Sequence, residues 1–466
     1  MLYDDQLLAL EKLYDFTTNE DKYYILSGAA GVGKTYLISQ FTKICPSRLY
    51  YCATTHKAVS VVNNFLQMDI ETDDVLKILY SIDEETNEPK NDFLSLLRLQ
   101  AEDDNEASTI HSLLSLKIAI DYNSGEQSLV SSDKAVDIKS GSIIIVDECS
   151  MISTELLSHI KRAANEIDDL KFLFIGDEYQ LPPVGELVSP VFNNFAPITQ
   201  LTEIKRQALG NPIIKLATAF REGMETDTLP NIVSDTNNGL GVRAVNRATY
   251  NDLIKRAFLS DAAVGDSFVK IVAWRNATVI QYNDFVRFDV LKYSSRQPIV
   301  GEVYVSNTAI THDNKVIVKN ETFLTITKST PVVKMQIPAF ELEFEEIDET
   351  LIVAEQFSDM KTHLSILADE AKELGCRRNA AISGSPEHIH LKNETRGAWR
   401  KFYWSKELFC DLRPTYAITA HKAQGSTYDY VFVDYQDILL NTDRNEMMRL
   451  MYVALTRAKK QVIVTW

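Results

Sequence analysis

Short, continuous apolar runs alternate with longer amphipathic stretches through the first part of the chain. The runs are rich in β-branched and aromatic residues, which is typical of parallel strands buried on both faces. Helical patterns such as ISTELLSHIKRAANEI lie between them. This alternation predicts a doubly wound α/β sheet. Its expected strands are YYILSG from Tyr23, RLYYCAT from Arg48, SIIIVDE from Ser142 and KFLFIGD from Lys171.

Two later segments have a different pattern. KIAIDYNSGEQSLVSS, from Lys117, alternates on both sides of a turn at residues 123–126, which predicts a β-hairpin. Residues 298–400 carry runs typical of antiparallel strands, then a helix expected from Ser358 to Leu374, and then a polar loop. The first pattern resumes with YAITA, YVFVDY and QVIVTW. The chain is therefore expected to leave a second α/β domain and return to it.

A polar, acidic segment interrupts the first α/β pattern. Asp69–Glu106 holds 13 acidic and 3 basic residues, so it carries −10 of the net charge of −17. A negative chain argues against nucleic-acid binding, but here the remainder carries only −7. We interpret residues 68–106 as a surface insertion, and favour a solvated decoration over a protein-docking site.

Composition narrows the class of protein. A chain of 466 residues suggests about three domains, and 45% hydrophobic residues exclude global disorder. No signal-peptide pattern opens the sequence and no apolar run could span a bilayer, so we expect no membrane association. The five cysteines are scattered without a CxxC pair, which argues against a disulfide framework or structural zinc and fits a reducing cytoplasm.

The strongest local signal is GAAGVGKT, which fits the phosphate-loop pattern GxxxxGK[ST] between a predicted strand and a predicted helix. Gly28, Gly31 and Gly33 would let backbone N–H groups surround the phosphates of ATP. Lys34 would reach the β and γ phosphates, and Thr35 would bind Mg²⁺. The flanking elements make a chance glycine-rich turn the weaker interpretation.

Polar residues follow the next two buried strands. Asp147 and Glu148 end SIIIV, and carboxylates at the carboxyl end of a parallel strand project into the ligand crevice. Asp147 would help to hold Mg²⁺, and Glu148 would act as general base on the attacking water. Gln180, in GDEYQLPP, could contact the γ-phosphate; the alternative is a proline-stiffened loop with a solvated glutamine.

Two arginines are candidates for stabilising a phosphoryl-transfer transition state. They are Arg206 in LTEIKRQ and Arg457 in YVALTRAK. Read singly, either is more often a surface ion pair. A separate stretch, KNETRGAWRKFYWSK from Lys392, interleaves 5 basic residues with aromatic ones. It predicts either a nucleic-acid contact or a buried seam between helices, and the sequence does not separate the two.

Taken in order, these motifs resemble superfamily 1 helicases, and within them the 5′→3′ type B branch that contains the Dda-like, RecD-like and Pif-type enzymes. The resemblance implies two RecA-like P-loop domains with ATP between them, an inserted β-hairpin "pin" and an inserted SH3-like β domain. The expected bounds are 1–208 for the first RecA-like domain with its pin at 117–132, 209–297 with 401–466 for the second, and 298–400 for the SH3-like insertion. The motifs are Gln6, GAAGVGKT, ATTHKAV, ASTIHSLL, VDECSM, GDEYQLPPV, LTEIKRQ, TAHKAQGST and YVALTRAK.

The same resemblance assigns further residues. Gln6 would read the adenine edge and Gly425 would link nucleotide to DNA. Tyr122, at the hairpin tip where a phenylalanine is expected, would stack at the fork. For any single histidine of the single-strand track a structural role is the alternative. That track would comprise Thr54, His56, Lys57, Thr109 and His111 on the first core and Thr419, His421 and Lys422 on the second.

These features together predict an ATP-dependent, Mg²⁺-dependent DNA helicase, phage-encoded and acting in the host cytoplasm. We expect a monomer that moves 5′→3′ on single-stranded DNA and opens duplex forks, with a single-strand-binding protein or replisome component as a possible partner. Three alternatives stay open: a translocase that does not unwind, a RecD-like subunit of a larger complex, and an ATP-switched replication or recombination assembly factor.

Overall fold

The computed structural model describes residues 2–54, 108–132, 136–193, 195–202, 210–237, 239–260, 268–312, 315–320 and 322–466. The described chain forms two compact units. The first unit draws on residues 1–115, 133–282 and 416–466, and the second on 116–132 and 283–415. Four predictions fall outside the described residues: His56, Lys57, Arg206 and the acidic segment Asp69–Glu106.

The strands, in chain order, are β1 (Tyr23–Gly28), β2 (Leu49–Ala53), β3 (Ser108–Thr109), β4 (Leu116–Asp121), β5 (Glu126–Ser131), β6 (Ile143–Asp147), β7 (Lys171–Gly176), β8 (Ile198–Leu201), β9 (Asp235–Asn237), β10 (Leu240–Val245), β11 (Val269–Ala273), β12 (Val303–Ser306), β13 (Ile310–His312), β14 (Lys315–Val318), β15 (Phe323–Lys334), β16 (Ile337–Phe344), β17 (Leu351–Ala354), β18 (Leu412–Pro414), β19 (Ala417–Thr419), β20 (Tyr428–Asp434) and β21 (Ala458–Thr465).

The helices, in chain order, are α1 (Asp4–Thr18), α2 (Lys34–Ile44), α3 (Ile110–Leu113), α4 (Thr154–Glu166), α5 (Pro212–Thr226), α6 (Arg247–Phe258), α7 (Asn276–Asp284), α8 (Phe357–Ala380), α9 (Pro386–Leu408), α10 (Ala420–Ala423), α11 (Tyr435–Ile438) and α12 (Arg444–Thr456). Among these described helices, none is both long and apolar enough to cross a membrane. All five cysteines are free thiols.

The first unit contains two largely parallel sheets. The first sheet has the order β3-β2-β6-β7-β1-β8, and every neighbouring pair in it is parallel. The four runs predicted as buried parallel strands form its centre, which confirms that prediction. Their apolar side chains, such as Ile144 and Phe174, are fully buried, as is typical of parallel strands covered on both faces. The carboxyl ends of β1, β6 and β7 are therefore neighbours along one edge.

The second sheet has the order β19-β11-β20-β21-β10-β9 and is parallel except for the β9–β10 pair. It contains the three runs that were expected to resume the α/β pattern. Helices α5 and α12 pack in its core, where Phe220, Met451 and Leu455 are fully buried. Two parallel sheets of this kind agree with the expected RecA-like core.

The second unit is built from antiparallel strands and two long helices. Its main sheet has the order β17-β16-β15-β12-β18, and β4 and β5 pair as a separate antiparallel hairpin. The unit comprises residues 283–415 together with the hairpin segment, residues 116–132. The domain bounds, the SH3-like nature of this sheet and the role of the hairpin remain predictions.

The prediction of a polar loop after Leu374 is wrong. Helix α8 continues to Ala380, and a second helix, α9, begins at Pro386 with Ser385 as its N-cap. Gly375 lies within α8, and Thr395 of α9 is its neighbour, 4.0 Å from the position of an added Cβ. The packing of α8 on α9, where Ala371 is buried with Trp399 and Tyr403, offsets the low helix propensity of glycine.

The basic and aromatic stretch lies on α9, where its side chains divide between two environments. Trp399 and Tyr403 are buried with Ala371 of α8, as expected for a seam between helices. Trp404 is 57% exposed. The buried-seam interpretation therefore holds for Trp399 and Tyr403, whose rings are not available for stacking on bases.

The hairpin tip packs against this seam. Gly125 has φ +77°, and an added Cβ would lie 2.4 Å from two ring atoms of Trp399. Its carbonyl accepts a hydrogen bond from the Tyr403 hydroxyl at 2.7 Å. Both contacts hold the turn of the hairpin on α9.

We expect Gly125→Ala to destabilise the protein by about 1–3 kcal/mol beyond the cost of left-handed backbone, because the methyl group overpacks the Trp399 ring. Gly384→Ala is the matched control, since Gly384 has φ +79° with no atom within 4 Å of its Cβ position. Urea unfolding followed by tryptophan fluorescence measures both variants. Equal losses in the free energy of unfolding would contradict the proposed clash.

Candidate nucleotide and nucleic-acid site

The predicted phosphate loop connects β1 to α2. Gly28 ends the buried strand, and Gly33 is the N-cap residue of α2. Gly31 and Gly33 have φ +88° and +87°, a conformation in which glycine avoids the Cβ clash of other residues. The loop therefore turns tightly onto the N-terminus of α2, where unpaired N–H groups and the helix dipole favour an anion.

Two side chains brace this loop. Lys34 Nζ donates to the carbonyl oxygens of Gly28 at 2.6 Å and Ala29 at 3.1 Å, so its ammonium group lies over the loop. The amide of Gln6 is buried, and its Nε2 donates to the Val32 carbonyl at 2.9 Å. Gln6 thus contacts the phosphate loop directly. Thr35 is exposed in the first turn of α2.

Asp147 and Glu148 lie at the carboxyl end of β6. Burial raises the pKa of Glu148 to about 7, and the neighbouring Asp147 carboxylate adds to this, whereas Arg457 and Lys34 oppose it. Burial also raises the pKa of Asp147. The Glu148 N–H, which donates to Asp147 Oδ1 at 2.8 Å, lowers this pKa and so partly offsets the effect of burial. Glu148 has φ +52°, a strained conformation for a residue with a side chain. Both carboxylates therefore sit in an environment dominated by desolvation.

Arg457 comes from the second sheet. It is the C-cap residue of α12, only 5% exposed, and donates to the carbonyls of Val453 at 3.1 Å and Ser426 at 3.3 Å. Burial lowers its pKa, and the largest opposing influence is Glu148. Gly425, with φ +71°, directly precedes Ser426. Arg457 and Lys34 thus bring positive charge to Glu148 from two different sheets.

Gln180 is buried after β7. Its Oε1 accepts from Nε2 of Gln424 at 3.4 Å, and its backbone carbonyl accepts from Arg449 at 2.8 Å. The alternative of a solvated glutamine is therefore wrong, because elements of the second sheet cover the side chain.

Three residues of this region were not singled out from the sequence. Two of them lie on α12: Tyr452 donates its hydroxyl to the third, Asp177, which follows β7, and Arg449 donates to backbone carbonyls after β7. These hydrogen bonds connect the layers of the two sheets. Tyr452 and Asp177 stand inside the quoted motifs YVALTRAK and GDEYQLPPV. A buried tyrosine and a carboxylate at a strand end are the signals that could have identified them.

The two sheets share one local arrangement at an edge strand. Thr109 ends β3 and caps α3, accepting from the Ser112 N–H; Thr419 ends β19 and caps α10, accepting from the Lys422 N–H. A histidine follows two residues later in each, and burial lowers the pKa of both His111 and His421. These histidines are therefore neutral at pH 7. Thr54, after β2, donates to the Glu148 carbonyl at 3.3 Å.

Tyr122 lies at the hairpin tip in the second unit. Its ring is partly buried, with its edge toward Tyr403 at a centroid distance of 6.0 Å and the Arg400 guanidinium 5.7 Å away. Ile118 of β4 is more open, at 65% exposure.

Comparisons with known proteins match most of the chain. A family model described as an AAA domain matches residues 1–235, and a UvrD-like helicase C-terminal domain matches residues 414–465. An uncharacterized protein of Acanthamoeba polyphaga mimivirus is 26% identical over 99% of both chains. The ATP-dependent DNA helicase Dda of Enterobacteria phage T4 is 27% identical over 77% of this chain and 82% of that protein.

A solved structure of Bacteroides Pif1 bound to single-stranded DNA is 14% identical, with a TM-score of 0.46 over 99% of this chain and 92% of that one. The first family model covers the phosphate loop and the second covers Arg457, and residues 236–413 lie between the two matches. The chain belongs to the AAA domain family and carries a UvrD-like helicase C-terminal domain over residues 414–465, which confirms its resemblance to superfamily 1B helicases.

Proposed function

We propose that this protein is an ATP-dependent DNA helicase that moves 5′→3′ on single-stranded DNA. The observation that carries the proposal is that Lys34 and Arg457, from the layers of two separate sheets, both act electrostatically on the half-buried Glu148 carboxylate. The positive charges of Lys34 and Arg457 come from the layers of different sheets. A hydrolysis reaction that needs both charges near Glu148 would therefore depend on the distance between the two sheets. The relationship to a phage protein named as an ATP-dependent DNA helicase supports the same function.

ATP would bind at the N-terminus of α2. Backbone N–H groups of the loop from Gly28 to Thr35 would hold the phosphates, and Lys34 would turn from its own loop carbonyls to the β and γ phosphates. Gln6 would recognise the adenine base, and its hydrogen bond to the Val32 carbonyl would connect the adenine site to the phosphate loop. This last role rests on the family resemblance.

Mg²⁺ fits the oxygen donors at this site. The Thr35 hydroxyl and the Asp147 carboxylate are hard oxygen ligands, and Mg²⁺ commonly takes one or two protein ligands together with substrate phosphates. Within the described ranges, no group of three or more His, Cys, Asp or Glu residues could form a metal cage. When bound, the ion would neutralise phosphate charge.

Hydrolysis would use Glu148 and the arginines. Glu148 would accept a proton from the attacking water, and Lys34 and Arg457 would stabilise the negative charge that develops on the transferred phosphoryl group. Gln180, buried between the sheets, would respond to the γ-phosphate. Arg206 is proposed as a second arginine finger from its motif alone.

DNA would be held without reading its sequence. The two threonine-capped turns at Thr109 and Thr419 offer hydroxyl and backbone groups, and their neutral histidines, His111 and His421, offer hydrogen bonds rather than charge. Thr54, His56, Lys57 and Lys422 complete the track that the resemblance implies. Changing grip as ATP binds and leaves would produce directional steps.

Strand separation is proposed for the hairpin formed by β4 and β5, with Tyr122 at its tip. The packing of that tip on α9 supports a rigid element, which a wedge requires. The 5′→3′ direction rests on the motif resemblance. We expect a monomer that acts on forks in the cytoplasm of an infected host, alongside a single-strand-binding or replisome protein.

The alternatives predict different activities. A translocase or a RecD-like subunit would hydrolyse ATP in response to single-stranded DNA without opening a duplex by itself. An assembly factor that uses ATP as a switch would show slow hydrolysis with little response to DNA. The experiment that tests the proposal is therefore ATP-driven strand displacement from a tailed duplex, with a Mg²⁺-chelated reaction as the blank.

A further inference from the structure

The hydroxyl of Tyr452 lies between the phosphate loop and the GDEYQ segment, residues 176–180. Tyr452 is 2% exposed, and its hydroxyl oxygen accepts a hydrogen bond from the Ala30 N–H at 3.2 Å. The same hydroxyl donates to the carboxylate of Asp177, which is fully buried. Burial, followed by the nearby Asp177, raises the pKa of Tyr452, so the hydroxyl keeps its proton. One side chain of α12 therefore connects the phosphate loop to this segment.

The GDEYQ segment has further contacts with the layer of the second sheet. Arg449, one turn before Tyr452 on α12, donates to the backbone carbonyls of Glu178 and Gln180. Tyr179 donates its hydroxyl to Glu225, and the Arg221 guanidinium lies 4.3 Å from its ring centroid. The next residue along the chain, Leu181, is fully buried in the core of the second sheet. The segment is thus held by direct contacts to α5 and α12.

The Ala30 N–H belongs to the group of amides that a phosphate loop presents to phosphate. It has one hydrogen, so a close bond to a phosphate oxygen competes with the bond to Tyr452. A charged oxygen is the stronger acceptor, since hydrogen bonds to ionised groups are about twice as strong as neutral ones. Phosphate would therefore displace the tyrosine hydroxyl, which keeps Asp177 as its partner.

We propose that Tyr452 is a positioning residue that couples occupancy of the phosphate loop to the GDEYQ segment, by competing with a phosphate oxygen for the Ala30 N–H. This inference rests on the proposed ATPase function. Arg457 is the C-cap residue of the same helix, so release of Tyr452 from Ala30 also frees α12 to adjust Arg457 against Glu148. Helix α12 would therefore link the binding of phosphate at Ala30 to the position of Arg457.

Tyr452→Phe tests the competition because it removes only the hydroxyl. Without DNA, we expect ADP and a non-hydrolysable ATP analogue to bind about 2- to 10-fold more tightly, since a neutral hydrogen bond no longer has to be broken. With DNA, kcat should fall at least about 10-fold, because the GDEYQ segment and α12 lose their common anchor. Isothermal titration calorimetry and steady-state hydrolysis measure the two effects.

Tyr250→Phe is the matched control. Tyr250 is fully buried in the layer of the second sheet, where its ring meets Phe432 edge-on at 5.6 Å, and neither affinity nor kcat should change. A purely structural role for Tyr452 would weaken nucleotide binding and lower kcat together. Unchanged or weaker nucleotide binding by folded Tyr452→Phe overturns the inference.

Asp177→Asn provides a second route if Tyr452→Phe does not fold. It keeps an oxygen acceptor but weakens the anchor of the hydroxyl, so nucleotide binding should again tighten; no tightening would overturn the inference. The outcome is separable from the function itself. A wild-type protein that neither binds nor hydrolyses ATP contradicts the proposed function, whereas an active wild type with no tightening in either variant contradicts only the role of Tyr452.

Discussion

Replacing Lys34 by alanine is expected to abolish ATP turnover, with kcat lowered by at least about 100- to 1,000-fold. The Lys34 ammonium lies over the phosphate loop, 2.6 Å from the Gly28 carbonyl, and is the cation proposed to meet the β and γ phosphates. Without it, phosphate charge loses its cationic partner in both the bound and the transition state. ATP affinity should therefore fall together with kcat.

Steady-state hydrolysis with saturating single-stranded DNA, together with nucleotide titration, measures these losses. Lys12→Ala is the control, because Lys12 is an exposed lysine on α1 of the same sheet layer. It should retain wild-type hydrolysis. Near-normal turnover by Lys34→Ala would remove the basis for the whole nucleotide site.

Glu148→Gln is expected to give an equally deep loss of hydrolysis, about 100- to 10,000-fold in kcat, but with ATP binding retained. Glutamine keeps the size of the side chain and one acceptor oxygen, but it cannot accept the proton of the attacking water. Removing one of two adjacent carboxylates also relieves the repulsion that, after burial, raises the pKa of Glu148. Nucleotide affinity should therefore be unchanged or higher.

The contrast with Lys34→Ala is the informative result, since one variant loses binding and the other loses chemistry. Single-turnover hydrolysis and nucleotide titration separate the two effects. Glu11→Gln, an exposed change on α1, should be neutral. Wild-type hydrolysis by Glu148→Gln would exclude this carboxylate as the base, and a loss of ATP binding would assign it a structural role instead.

Much of the first unit could be predicted from the sequence because its strands are continuous apolar runs. Runs such as SIIIV are buried on both faces, so burial and strand formation favour the same assignment. The carboxylates that end these strands must then lie at one edge of the sheet. Asp147 and Glu148 reach one half-buried position at this edge for this reason alone, while their catalytic roles remain predictions.

The parts that could not be predicted depend on contacts between distant residues. Tyr452 bonds Ala30 across 422 positions of the chain, and no local pattern reports such a pairing. Helix α8 continues past Gly375 because it packs against α9. The sequence placed Tyr122 at the hairpin tip, but it did not indicate the contacts of its ring with Tyr403 and Arg400.

The most direct measurement is ATP-driven strand displacement on two short duplexes that differ only in carrying a 5′ or a 3′ single-stranded tail. The account predicts that wild-type protein with ATP and Mg²⁺ opens only the 5′-tailed duplex, and that Glu148→Gln opens neither. Opening of only the 3′-tailed duplex would contradict the proposed direction while leaving the nucleotide site intact. Failure to open either duplex, with no hydrolysis in the presence of single-stranded DNA, would contradict the helicase assignment itself.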